Sequence, residues 1–366
     1  MREISADILV VGGGAAGLCA AAEAAGAGAR VLIAESDLHI GGQLVKQSHK
    51  FFGSKDEYAG TRGFQIVKIL TDEIERSPGK VEMMLNTTVT GYYPEEGLLS
   101  AMIAEDEYFH IKAPKIIVAT GAQERLIPFP NNDLPGVYGA GAVQTLMNVY
   151  GVTPGKRVLM IGAGNIGLIV SYQLMQAGVE VAAILEAMPR IGGYWVHAAK
   201  VRRLGVPILL SHSIERALGN DIVEGAVIRE LDEHFRPTGE PEEIECDAIC
   251  MAVGLTPTNE LLWHAGCEMK YVPQLCGQVP LRDREMRTSN PDFWVAGDVG
   301  GIEEASAAMI EGRIAGFGAA RSLGLSPAPE NLEMYWERLR HLRAGEVGEK
   351  IRAGVGCVLI DSWEAK

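Results

Sequence analysis

The chain has 366 residues, 47% of them hydrophobic and 22% charged, enough apolar material for two domains with a core each. Its 33 basic and 47 acidic side chains leave a formal charge of −14. That sign excludes the basic footprint that nucleic-acid phosphates demand and disfavours docking on an anionic membrane surface.

The chain enters a strand and a glycine turn within its first residues, with no cleavable apolar region. Its uncharged stretch over residues 8–22 is glycine-rich and too short to span a bilayer, so a cytoplasmic location is the expectation. "ADILVVGGGAAGLCAAAEAAGAGARVLIAES" reads as strand, turn, alanine-rich helix and second strand. Gly12, Gly14 and Gly17 form GxGxxG: one glycine for the tight turn, one for close approach to a pyrophosphate, one for helix–sheet packing. Phosphates then sit at the helix N-terminus, and Glu35 at the end of the second strand is placed to accept from ribose hydroxyls. The segment "GGQLVKQSHKFFGSKDEYAG" is dense in polar and aromatic groups. Lys46, Gln47 and His49 in it are either ligand contacts or a solvated loop, and Phe51 and Phe52 either line a site or fill core.

"KIIVATGAQ" is a further apolar strand. Residues 137–148, "GVYGAGAVQTLM", carry no cysteine, histidine or charge. "KRVLMIGAGNIGLIVSYQLMQAGVEVAAILEA" repeats the first unit, with Gly162, Gly164 and Gly167 as its glycines and Glu186 as its acidic residue. A carboxylate there repels a 2′-phosphate and favours NAD over NADP, a preference that nearby Arg190 could weaken. The second turn either works or survives as a packing relic. Trp195 and His197 follow in "GGYWVHAAK", the histidine more readily structural than reactive.

Cys19, Cys246, Cys250, Cys267, Cys276 and Cys357 form no CxxC pair; Cys246 and Cys250 lie in "IECDAICMAVG", a buried strand, and read as reduced core cysteines. Asp298 in "VAGDVGG" either caps the following helix or binds a hydroxyl of a flavin's ribitol chain. A helix starting near residues 304–306 would aim its positive end at the flavin pyrimidine. In the tail, Leu332, Tyr335, Trp336, Leu339 and Leu342 share one helical face, and "GVGCVLIDSW" reads as a short apolar strand or anchor. Both either pack on the parent body or form an arm for a partner subunit. The eight histidines are scattered and no metal site is expected.

In this order "GGGAAG" with Glu35, "IGGQL", "ATGA", "IGAGNIG", "AVGLTPTN" and "VAGDV" resemble the two-dinucleotide-fold flavoproteins of the pyridine nucleotide-disulfide oxidoreductase superfamily, with "GGQL" most like the thioredoxin reductase branch. The resemblance implies an α/β fold of two Rossmann-like dinucleotide-binding domains: an FAD domain in two parts, 1–125 and 265–326, an inserted NAD(P) domain, 126–264, and a tail, 327–366. It implies that FAD is held by Gly12, Gly14, Ala16, Gly17, Glu35, Ser36, Gly42, Gln43, Val89, Thr120, Gly121, Asp298 and Ala305. NAD is held by Gly162, Gly164, Asn165, Ile166, Gly167, Glu186 and Gly254, and Lys46 and His49 are the catalytic expectations near the flavin.

Thioredoxin reductases carry their redox CxxC just before the second fingerprint, where this chain has Gly139, Ala140, Gly141 and Ala142. The glutathione-reductase-like branch places its pair after the first unit, where this chain reads "IGGQLVKQSHKFFG". A thiolate relay is therefore excluded at either place. The stretch "LPGVYGAGAVQTLMNVYGVTPGKRVLMIGAGNIG" is similar to the FAD/NAD-type subunits of heteromeric sarcosine oxidase, hydrogen cyanide synthase, opine oxidases and dye-linked proline dehydrogenases. Those relatives often append a cysteine-rich iron–sulfur module, whereas this chain has one cysteine after Leu325, so a cluster would sit on a partner.

Three readings follow. The first is an FAD oxidoreductase exchanging hydride with NAD(H) and electrons with a small molecule or a partner redox subunit, as a dimer or hetero-oligomer. The second is a subunit of an amine or amino-acid dehydrogenase whose second fold is vestigial or holds another nucleotide; Arg125, Arg202 and Arg203 are its carboxylate-binding options. The third is a non-catalytic assembly subunit that keeps cofactors for structure.

Overall fold

In the computed structural model, which describes residues 2–51, 53–104, 106–346, 348–361 and 363, strand Ile8–Val11 is buried along its whole length. Successive side chains of a strand point to opposite faces. Ile8 and Val10 therefore meet the alanine-rich helices Ala15–Gly26 and Ala305–Ser322, while Leu9 and Val11 meet Leu99, Phe109 and Ile111 of a second sheet. The parallel sheet runs in the order Phe293–Val295, Lys115–Val118, Ile8–Val11, Val31–Ala34, Val81–Met84. The strand order reverses at Ile8–Val11, so the glycine turn that follows it opens at the topological switch point.

Two compact units result: Met1–Gln123 with Thr256–Lys366, and Glu124–Leu255. The second unit repeats the three-layer plan. Its parallel sheet has the order Val137–Gly139, Ala248–Met251, Arg157–Ile161, Glu180–Glu186, Ile208–Leu210. Val158 and Met160 face helix Asn165–Gln176, and Leu159 and Ile161 face Ile214, Ala226 and Ile228 of an antiparallel sheet. The fold is α/β with two Rossmann-like units, the second inserted into the first. The sheet in which Arg2–Ser5 runs parallel beside antiparallel strands over residues 87–112, and the antiparallel sheet over residues 212–245, are not among the elements read from the sequence.

Helices Ala15–Gly26 and Ala305–Ser322 touch backbone to backbone because Gly312 and Gly316 face Ala16 and Ala20; a Cβ on either glycine would overlap a carbonyl oxygen. Tail helix Glu330–Leu342 then packs on this pair. Tyr335, Trp336 and Leu339 are buried in the same core, with Leu332 and Leu342 at its margin, so the apolar face that the sequence leaves open is covered by the chain's own first unit. For the following stretch, read from the sequence as a short strand or an anchor, the structure gives the second. Residues Glu349–Val355 are helical, and Leu359 makes an isolated bridge with Arg282. Val355 and Val358 are buried against Val272, Leu275 and Val279, which makes the segment an anchor. Among the described residues no helix is long and apolar enough to cross a membrane.

Candidate functional site

The first glycine turn is shaped by contacts that only glycine permits. Gly12 has φ +103°, and a Cβ on it or on Gly17 would overlap the oxygen of Ala119 or of Gly12 itself. Helix Ala15–Gly26 begins at Gly14 with no side-chain cap, so its first N–H groups point outward with the positive end of the helix dipole. Gly42 closes the other side: a Cβ there would lie 2.8 Å from Gly14 Cα. Ala16 starts the helix's buried face and Gln43 is exposed beside Gly42. The Glu35 carboxylate accepts from the N–H of Gly13 at 2.7 Å and of Asp37 at 2.8 Å, and the Ser36 hydroxyl donates to it at 3.3 Å.

Asp298, Thr120 and Gly121 follow the ends of strands Phe293–Val295 and Lys115–Val118, at the same end of the sheet as the glycine turn. Gly297, with φ +76°, packs against Ala16, a Cβ there lying 2.9 Å from Ala16 Cβ, which puts Asp298 beside the turn. Asp298 does not cap the next helix; its Oδ1 accepts from Glu303 N–H at 3.3 Å, and helix Ala305–Ser322 begins at Glu304 without a side-chain cap. Burial pushes the Asp298 carboxyl up to about 7, with the negative charges of Glu311, Glu303 and Glu304 adding to it. Thr120 donates its hydroxyl to Thr258 O at 2.6 Å and Gly121 O accepts from Thr258 N–H at 3.0 Å, fixing the strand end over Gly12. Val89 is half-buried in strand Thr87–Tyr93.

Gly42–Lys46 is a short 3-10 helix that leaves Lys46, Gln47 and His49 half-buried, between the contact and solvated readings. Gln47 Oε1 is buried and has no hydrogen-bond partner among the described residues. Phe51 is core, its ring 6.0 Å from that of His49, and Phe52 lies outside the described residues. An FAD fits this donor set: two uncapped helix N-termini, a backbone cradle between Gly14 and Gly42, a carboxylate at each end and an orphaned buried acceptor.

The second unit reproduces the turn. Gly162 again has φ +103°, a Cβ on Gly167 would overlap Gly162 O, and helix Asn165–Gln176 begins at Gly164 uncapped, with Ile166 exposed in its first turn. Glu186 accepts from the N–H of Ala163 at 2.9 Å and of Met188 at 3.0 Å, the pattern Glu35 shows. The duplication extends further than the sequence reading took it. Ile191, Gly192 and Gly193 stand to Glu186 as Ile40, Gly41 and Gly42 stand to Glu35; each loop donates one N–H back to its glycine turn, Gly193 to Ala163 O at 2.9 Å and, one position earlier in the repeat, Gly41 to Gly13 O at 2.8 Å. Asn165 Oδ1 then accepts from Tyr194 N–H at 2.7 Å. The signal was the repeated IGG at equal distance from each glutamate. Gly254, with φ +119°, accepts from Arg125 N–H at 2.9 Å. Arg190 is exposed. Trp195 is 66% exposed with the Arg202 guanidinium 5.4 Å over its ring; His197 is buried, and burial with Lys200 nearby lowers its pKa, a structural histidine. Arg125, Arg202 and Arg203 are also exposed.

Glu124 packs against residues 139–142, the stretch where the thioredoxin reductase resemblance would put a CxxC pair. Its carboxylate accepts from Gly141 N–H at 2.7 Å and Ala142 N–H at 3.4 Å, capping helix Ala140–Asn148, and a Cβ on Gly139 would overlap it. Sequence reasoning missed this residue, because nothing local links it to a helix 17 positions on. The six cysteines form no disulfide among the described residues; burial pushes the Cys246 thiol up to about 12 and, aided by Glu124, pushes Cys250 up as well, so neither offers a thiolate. No cluster of three or more metal-ligating side chains occurs among the described residues.

The sequence model of the pyridine nucleotide-disulphide oxidoreductase family matches residues 6–312. The chain is 27% identical over 333 residues to an opine oxidase subunit of Rhizobium meliloti, covering 87% of this chain and 63% of that one. It is 28% identical over 336 residues to the alpha subunit of sarcosine oxidase from a Corynebacterium species (88% and 33%). It is 27% identical over 370 residues to the HcnB subunit of hydrogen cyanide synthase from Pseudomonas aeruginosa (95% and 77%). It thus spans a third to three quarters of the length of these relatives. Among solved structures, L-proline dehydrogenase from P. horikoshii superposes with a TM-score of 0.73 at 23% identity, covering 93% of this chain and 59% of that one. Thioredoxin reductase from T. acidophilum superposes with 0.71 at 22% identity (87% and 99%).

Proposed function

Because the chain belongs to the pyridine nucleotide-disulphide oxidoreductase family, whose members use FAD and a pyridine nucleotide, we propose that it is an FAD-dependent oxidoreductase without a redox disulfide. In this reading it exchanges reducing equivalents between NAD(H) and a small molecule or partner subunit. The observation that carries it is the duplicated turn, in which each unit holds a glutamate on the backbone of its glycine loop. When bound, FAD supplies hydride acceptance and onward electron transfer. The chain's part is positional. The N-termini of helices Ala15–Gly26 and Asn165–Gln176 neutralise pyrophosphates, and Glu35 and Glu186 accept from adenosine ribose hydroxyls. Asp298 accepts from the ribitol chain, and helix Ala305–Ser322 aims its positive end at the ring pyrimidine. Lys46 and His49 are the groups proposed to meet the ring or substrate. Glu186 sets NAD over NADP, since its carboxylate stands where a 2′-phosphate would need a cation and Arg190 forms no ion pair with it.

An anaerobic NADH titration of the purified chain tests the reading. The visible flavin band should bleach rapidly, and Glu186→Arg should slow bleaching by NADH about tenfold or more. A band that NADH leaves intact would remove the nicotinamide site from the proposal. The comparisons favour one second reading. Relatives named as subunits of opine and sarcosine oxidases support an amine or amino-acid dehydrogenase subunit that works with a partner chain. Bleaching by proline or sarcosine, and not by NADH, would select it.

A further inference from the structure

The tail reaches beneath the flavin-side loops of the first unit through two arginines. Arg338 Nε donates to Glu57 Oε1 at 2.5 Å and its Nη2 to Asp56 O at 2.9 Å, on the loop that follows Gly42–Lys46. Glu57 is 2% exposed, so this contact is internal. Arg343, at the end of helix Glu330–Leu342, donates to both Glu303 oxygens, at 3.0 and 2.6 Å, and to Glu311 Oε1 at 2.6 Å. Glu311 in turn accepts from Gly297 N–H at 3.1 Å, and the N–H of Glu303 binds Asp298 Oδ1. Arg282 completes the group, 3.7 Å from Glu311 and bonded to Gly300 O at 2.8 Å. Two arginines thus balance two glutamates in a buried cluster whose free ends hold both sides of Asp298. A buried ion pair is poor evidence of stability, but it specifies one geometry wherever removing a partner strands a charge.

We propose that Arg343 is a positioning residue of the flavin site. The tail is a clamp that fixes residues 297–303, and with them Asp298 and the start of helix Ala305–Ser322, in the shape that retains FAD. The inference rests on the reading that the first unit holds FAD, and it assigns cofactor retention to a segment beyond the matched residues 6–312. Arg343 touches neither the glycine turn nor the ribose carboxylate; it acts through Glu303 and Glu311.

The test is FAD affinity, read from the quenching of flavin fluorescence as stripped protein takes up cofactor. Arg343→Met should raise the dissociation constant about tenfold or more, in the range that outer-layer partners of a site command, and Arg343→Lys should recover part of it. Should Arg343→Met fail to fold, the double variant Arg343→Met/Glu303→Gln removes the stranded charge and keeps the experiment decisive. Weak FAD binding by that folded double variant supports the clamp. FAD binding within twofold of wild type, by the single or double variant, overturns it. A wild-type chain that takes up no FAD defeats the underlying reading, and the clamp with it, before any variant is compared.

Discussion

Asp298 concentrates the electrostatics of the first unit in one side chain. Its carboxyl is raised to about 7 by burial first and by Glu311, Glu303 and Glu304 second. The unfolded chain would release that proton near pH 4, so between about pH 4 and 7 the folded state binds more protons than the unfolded one. Stability of the FAD-free chain should therefore fall as pH rises through this window, by up to roughly 4 kcal/mol. Asp298→Asn cannot ionise. It should match wild type near pH 4 and be the more stable protein at pH 8, the reverse of what losing a salt-bridged carboxylate does. Denaturant midpoints at the two pH values measure this; equal loss at both would mean that Asp298 serves the fold by its hydrogen bond and not by its charge. A ribitol hydroxyl donating to this carboxylate would offset the same penalty, which explains how a costly residue suits a site built for FAD.

At the scale of elements, small residues decide the packing. Gly312 and Gly26 are both helical glycines, yet a methyl on Gly312 overlaps Ala16 O and a methyl on Gly26 meets nothing within 4 Å. Gly312→Ala should cost about 2–4 kcal/mol by forcing helices Ala15–Gly26 and Ala305–Ser322 apart. Gly26→Ala should gain up to about 1 kcal/mol from reduced backbone freedom in the unfolded chain. Urea midpoints at constant slope separate the two, and equal effects would refute the close-approach account. The same contrast shows what a sequence discloses. The strand–turn–helix units were legible because continuous apolar runs, obligatory glycines and a terminal glutamate all act within some 30 residues. Strand Pro237–Glu245 was not. It carries two prolines and four glutamates and is exposed almost throughout, an edge strand whose composition mimics a loop. Glu124 and Arg343 were hidden for another reason: their partners are 17, 32 and 40 residues away, and only tertiary folding selects them. The terminal "GVGCVLI" left strand and anchor both open because an apolar run of that length fits a strand or a buried helix end equally well, and the fold selects the anchor.

At the scale of the whole molecule, each unit has its own core. Ile8, Val10 and Ile314 belong to one, and Val158, Met160 and Leu168 to the other. A ligand stabilises what it binds, by RT ln(1 + [L]/Kd), about 2.7 kcal/mol at a hundredfold excess over Kd. FAD and NAD should therefore protect different stretches of the chain. Hydrogen exchange read peptide by peptide should slow about a hundredfold with FAD across residues 1–123 and 256–366, including the tail helix Glu330–Leu342 if the clamp tightens on the cofactor. NAD should slow residues 124–255, with the largest effect at residues 162–167 and 186–194. The pattern distinguishes the readings in a way turnover does not. NAD protection confined to the second unit supports a working nicotinamide fold even where no electron acceptor is supplied. An inserted unit that NAD leaves unprotected, beside a first unit that FAD protects, would show that the duplicated turn survives as helix–sheet packing, and the amine dehydrogenase reading would then take precedence.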